Sequence, residues 1–200
     1  MLETESRWTI AEQVVCERWG VPFSMELKRR LLGTHIQLSG QILADWVGAG
    51  RDRGPDLARE FIEAYREAVD EHGVDAMPGA VELVAALAER VPVAVASNTH
   101  IDDTLRVLAR SPLPEVFQAV VCAGDGIPPK PAPDVYLAAC AALGVAPNMA
   151  AAFEDSPVGA AAAMAGGLRV YGVPSTPGVT VTAHVTLTSL REITAHELLG

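Results

Sequence analysis

The 200-residue chain carries a formal net charge of −10, with half of its residues hydrophobic and only 5% aromatic. That balance argues against a nucleic-acid or anionic-membrane partner, since both need basic patches, and no apolar run approaches the roughly 20 residues of a membrane span. Cys16, Cys122 and Cys140 lie far apart without CxxC spacing and read as reduced core thiols of a cytoplasmic protein. The acidic, polar opening MLETESRW is unlike a secretory signal.

Residues 6–74 read as a helical domain. A first helix starts at Thr4 or Ser6, runs through Ile10, Val14 and Val15 to Trp19, and is stopped by Gly20. Helices over 24–32 and 37–47 follow, then a polar loop over 48–55. The helix over 56–72 has Leu57, Phe61, Ile62, Tyr65 and Val69 on one face and Gly73 at its end. Beyond Gly73 short apolar strands alternate with helices. Strands are predicted over 91–96, 119–122, 149–153, 168–173 and 184–187, with helices over 78–90, 102–110, 133–143 and 157–165 and at the C-terminus. Such alternation implies right-handed crossovers and a doubly wound parallel sheet, so residues 78–200 read as an α/β core.

Three strand ends carry candidate chemistry. The strand at 91–96 runs into Ser97-Asn98-Thr99, where a hydroxyl and backbone N–H groups before a helix suit a phosphate; taken alone, the tripeptide fits a plain turn with a cap better. In PPKPAPDVY, prolines on both sides hold Lys130 on a stiff segment, where a fixed charge can meet a phosphoryl group or simply face solvent. In FEDSPVGAAAAMAGG, Glu154 and Asp155 arrive at a strand's carboxyl end, where α/β sheets bind ligands. Paired acidic oxygens there suit Mg²⁺; a capping Asp155 beside a solvated Glu154 is the alternative. Ser156 can cap the following helix and Pro157 suits its first turn.

The order of the three is more specific than any one. A strand ending in Ser, then Lys-Pro before a helix, then a strand ending in Glu-Asp-Ser resembles the haloacid dehalogenase-like hydrolase superfamily. Ser97, Lys130 and Glu154-Asp155 match its second, third and fourth motifs. KPAPDVYLAACAALGV followed by FEDSPVGAAAAMAGG resembles its β-phosphoglucomutase and sugar-phosphate phosphatase branch, which also places a helical cap before the core. The resemblance implies a Rossmann-like core and a Mg²⁺-dependent phosphatase of small phosphorylated metabolites, monomeric or weakly oligomeric. Ser97 and the Asn98 amide would hold phosphoryl oxygens, Lys130 would pair with phosphate and nucleophile, and Glu154 and Asp155 would ligate or position Mg²⁺. Gly33, Thr34 and His35 correspond to a substrate-specificity loop, although His35 also reads as an ordinary surface histidine. A phosphomutase on the same scaffold is a further alternative.

One motif is missing from the pattern. The family's first strand ends in DxDGT, whose two aspartates are nucleophile and general acid, followed by a segment that Met1–Glu5 resembles. No DxD occurs in the sequence. By the resemblance that strand is central in the sheet. Its absence would leave two rows of backbone groups unpaired at roughly 1–3 kcal/mol each, against the ~5–15 kcal/mol stability of a domain. The expectation is a chain that starts downstream of its natural start and is inactive in this form. A non-catalytic binding or regulatory relative is the competing reading.

Overall fold

The computed structural model describes residues 1–175 and 178–200, which form two compact units, Thr4–Val74 and Met1–Glu3 with Asp75–Gly200. The first unit holds α1 (Glu5–Arg18), α2 (Met25–Leu31), α3 (Ile36–Trp46) and α4 (Gly54–His72). Along α4, Leu57, Ala58, Phe61, Ala64, Tyr65, Ala68 and Val69 are buried. Their spacing of three and four is the stripe of a helix with one face on a core, and it packs against α3 and α1. A Cβ added to Gly40 would lie 2.3 Å from the Gly54 carbonyl oxygen, so α3 and α4 meet backbone to backbone. The predicted loop over 48–55 is shorter than expected. Arg51–Arg53 form a 3-10 turn, and α4 already starts at Gly54 because Pro55 fits a helix's first turn.

The second unit is the α/β core. Its first element, β1 (Leu2–Glu3), pairs antiparallel with β2 (Asp75–Ala76); two-residue strands are too short to leave a periodic signal. Next come α5 (Ala80–Ala88), β3 (Ala94–Ser97), α6 (Ile101–Ala109), β4 (Ala119–Cys122) and α7 (Asp134–Leu143). They are followed by β5 (Ala151–Glu154), α8 (Pro157–Ala165), β6 (Arg169–Gly172), β7 (Val185–Thr186) and α9 (Ala195–Leu199). Strands β3 and β4 pair in parallel, as do β5, β6 and β7 in that spatial order. Residues alternate between two cores: Ala152 and Val170 pack with Val135 and Ala163, whereas Phe153 and Tyr171 pack with Leu83 and Leu190. Met149, predicted in a strand, lies in the 3-10 turn Pro147–Met149 and is exposed.

The parallel strands form two half-sheets. The carbonyls of Val93 and Ser97 accept from Gln118 and Ala123 on the β4 side, so the polar groups of Ala94 and Ala96 point to the opposite edge. Likewise Ala150 and Glu154 bond towards β6 through Arg169 and Val173, which turns those of Ala151 and Phe153 the other way. Among the described residues no strand pairs with either edge. Every residue of β3 and β4 is only half-buried, although parallel strands are ordinarily covered on both faces. No helix among the described residues is long and apolar enough to cross a membrane.

Candidate active site

The carboxyl ends of β3 and β5 are joined by one side chain. Lys130 Nζ donates to Glu154 Oε1 at 2.5 Å, to the Ala96 carbonyl at 3.1 Å and to the Tyr136 hydroxyl at 3.1 Å. The ammonium also lies 4.6 Å from the centre of the Tyr136 ring. Asn98 fixes the backbone of the same lysine, accepting from the Lys130 N–H at 2.8 Å and donating to its carbonyl at 3.3 Å. Ser97 Oγ accepts the Thr99 N–H at 3.0 Å, which holds the turn leading to α6. Asn98, Lys130 and Glu154 are therefore brought into one connected network, with Ser97 beside it at the end of β3.

Glu154, expected beside Asp155 as a second cation ligand, has both carboxylate oxygens engaged by the protein. Oε1 takes Lys130 and the Tyr136 hydroxyl, and Oε2 takes Ser156 Oγ at 3.2 Å. Burial alone would push this carboxyl up, but the Lys130 ammonium and the bonds from Lys130, Tyr136 and Ser156 outweigh it and hold it below the usual range. A Cβ on Gly159 would overlap the Glu154 carboxylate, so only glycine lets α8 pass this close. Ser156 serves twice, because its Oγ also caps α8 by accepting the Gly159 N–H. Asp155 faces different partners. Its Oδ2 accepts from Ser175 Oγ at 3.0 Å, and burial, reinforced by the Glu154 charge and opposed by the Met1 ammonium and Ser175, raises its carboxyl.

Tyr136 and Ser175 are the site residues that sequence reasoning missed. Tyr136 sits in the first turn of α7 among core positions, and its signal was its type: a buried phenol needs a partner for its hydroxyl. Among the described residues no cluster of three or more His, Cys, Asp or Glu forms a ready-made metal site. Asp155 still offers a hard oxygen of the kind Mg²⁺ takes, and Mg²⁺ commonly needs only one or two protein carboxylates beside phosphate and water. In the helical unit His35 occupies the N-cap position of α3, half-buried, and its Nδ1 lies 3.0 Å from Gln37 Oε1. Thr34 Oγ1 donates to the Leu31 carbonyl at 2.8 Å, and Gly33, with φ of 73°, makes the turn out of α2. His100 caps α6 from an exposed position.

One lysine thus joins two strand ends of the α/β core, one carrying an acidic pair and the other a Ser-Asn turn. Residues 9–167 match the family model of the haloacid dehalogenase-like hydrolases, and the chain belongs to that family. It is 38% identical to protein CbbY of Rhodobacter capsulatus over 125 residues, covering 60% of this chain and 55% of that protein. It is 32% identical to hexitol phosphatase B of Escherichia coli (strain K12), covering the whole chain and 92% of the relative. A crystal structure of β-phosphoglucomutase from Clostridium difficile superposes with a TM-score of 0.84 at 17% identity, covering all of this chain and 91% of the other. The Rossmann-like α/β fold and the sugar-phosphate branch read from the sequence are thereby confirmed.

Proposed function

We propose that the chain is the body of a Mg²⁺-dependent phosphatase of small phosphate esters, with sugar phosphates as the substrate class. The observation that carries this reading is Lys130, held by Asn98 and Glu154 between the strand ends that present Ser97 and Asp155. Ser97 Oγ and the Asn98 N–H would receive phosphoryl oxygens, and Lys130 would offset their charge. Asp155 would hold the cation, and Glu154 would act through Lys130. Bound Mg²⁺ supplies electrostatic stabilisation of phosphoryl oxygens. The helical unit would act as the cap and select substrates through Gly33, Thr34 and His35.

The chemistry further requires a carboxylate nucleophile, which in this reading comes on a strand lying along the unpaired edges of β3 and β5. The 200-residue chain alone is then inactive. Hexitol phosphatase B, by its name a sugar-alcohol phosphatase, supports the substrate class. The same unpaired edges suit a second reading, a non-catalytic phosphate-binding protein completed by a partner's strand. The test compares this chain with a version extended at its N-terminus by an apolar strand ending in Asp-x-Asp-Gly-Thr. Mg²⁺-dependent phosphate release from hexose and hexitol phosphates by the extended protein alone is expected. Phosphate binding without turnover in both forms selects the second reading, and neither activity nor binding removes the phosphate site altogether.

A further inference from the structure

Lysine carries its charge on a flexible stem with three rotatable donors, so an ion pair by itself leaves the ammonium free to swing about its carboxylate. At Lys130 that freedom is removed by a third group. A carboxylate can only accept, so the single hydroxyl proton of Tyr136 goes to Glu154 Oε1. The phenol oxygen is then left to accept from Lys130 Nζ. The result is a closed ring of three side chains, Lys130 to Glu154, Glu154 to Tyr136 and Tyr136 to Lys130, with the aromatic face against the ammonium. Tyr136 is 7% exposed and its neighbour Val135 is fully buried, so the phenol stands on a helix anchored in the core.

The third N–H of the ammonium goes to the Ala96 carbonyl, a neutral acceptor outside this ring. We propose that Tyr136 is a positioning residue for Lys130: by engaging both members of the Lys130–Glu154 pair it leaves the N–H on the Ala96 side as the one that turns to an incoming anion. The inference rests on the phosphate-handling reading for the anion, while the positioning itself is a property of the free protein.

Lys28 and Lys130 are the only lysines in the chain, which makes amine chemistry a clean probe. Reductive methylation of the folded 200-residue protein, quantified by peptide mass spectrometry, would be run on wild type, Tyr136→Phe and Tyr171→Phe. Tyr171 loses a different buried-ring hydroxyl, one that accepts from Arg169. In Tyr136→Phe the rate at Lys130 is expected to rise at least fivefold, with Lys28 unchanged and Tyr171→Phe behaving as wild type. An unchanged Lys130 rate in folded Tyr136→Phe overturns the proposal, as does a parallel rise at Lys28, which would mean general loosening. A fluorine measurement covers a variant that does not fold: in protein carrying 3-fluorotyrosine, Lys130→Met must move the Tyr136 signal and leave Tyr65 in place, and a Tyr136 signal that stays put also overturns it. Repeating the wild-type labelling with inorganic phosphate tests the site reading separately. If phosphate fails to slow Lys130 labelling, the phosphate reading fails while the phosphate-free comparison still decides the role of Tyr136.

Discussion

The two lysines of this protein sit in two buried ion-paired centres of opposite quality. In the helical unit Lys28 is 4% exposed; its Nζ lies 2.7 Å from Glu5 Oε2 and 3.4 Å from Glu12 Oε1, and it also donates to the Glu5 carbonyl at 3.1 Å. In the core, Lys130 meets Glu154 with Tyr136 and Ser156 completing the carboxylate. Glu12 Oε2, by contrast, is buried with no hydrogen-bond partner among the described residues. Burial pushes the Glu12 carboxyl up to about 7 against the pull of Lys28, whereas Glu154 is held low. A buried ion pair gains stability only when its remaining lone pairs are met, so the difference teaches that added donors, rather than the pairing itself, make the core centre strong.

Breaking each centre should expose that difference. Lys130→Met leaves the buried Glu154 carboxyl without its cation and is expected to cost about 3–5 kcal/mol. Lys28→Met should cost only about 1–3 kcal/mol, because Glu12 can take up a proton. Urea unfolding of the two variants at pH 7 compares them, and equal losses would contradict the ranking. The pH dependence is the next largest effect. Glu12 binds its proton more tightly folded than unfolded, so its contribution is fully present below the ordinary carboxyl value of 4.5 and falls as pH rises towards about 7. The loss is of order 3 kcal/mol, and Glu12→Gln should flatten that part of the stability profile measured by urea unfolding.

The capping serines give the finest comparison. Ser24 caps α2, which carries Lys28, and Ser156 caps α8 beneath Glu154. Each replacement by alanine should cost about 1 kcal/mol through the lost cap. Ser156→Ala should exceed Ser24→Ala, because it also strips a donor from Glu154 Oε2. Thermal unfolding of both variants reads the difference, and identical shifts would mean that the Ser156–Glu154 bond contributes nothing.

How legible the molecule was in its sequence depended on the range of the interaction. The α4 stripe from Leu57 to Val69 and the alternation beyond Gly73 are local patterns, and they placed nearly every helix and strand. Ser97, Lys130 and Asp155 were legible because strand ends and helix starts leave their own residue types behind. Glu154 was found but its partners were not, since nothing in FEDS shows that Tyr136 and Lys130 would occupy its oxygens. Tyr136 itself was hidden by its burial, because a core position and a site position share one helical spacing. The triad of Glu5, Glu12 and Lys28 was invisible for a related reason: α1 and α2 are joined by a turn whose angle no periodicity records.

The Asn98 side chain has a consequence for how such a chain can change over generations. It reads both backbone groups of a residue 32 positions away, so the lysine takes its place from β3 and not from the segment that leads up to it. That intervening stretch passes through an exposed turn at residues 124–126, and lengthening a loop adds little closure entropy. Insertions there can accumulate, shorten or grow into new structure while the ammonium stays registered against the strand end, which frees one flank of the site for evolutionary experiment.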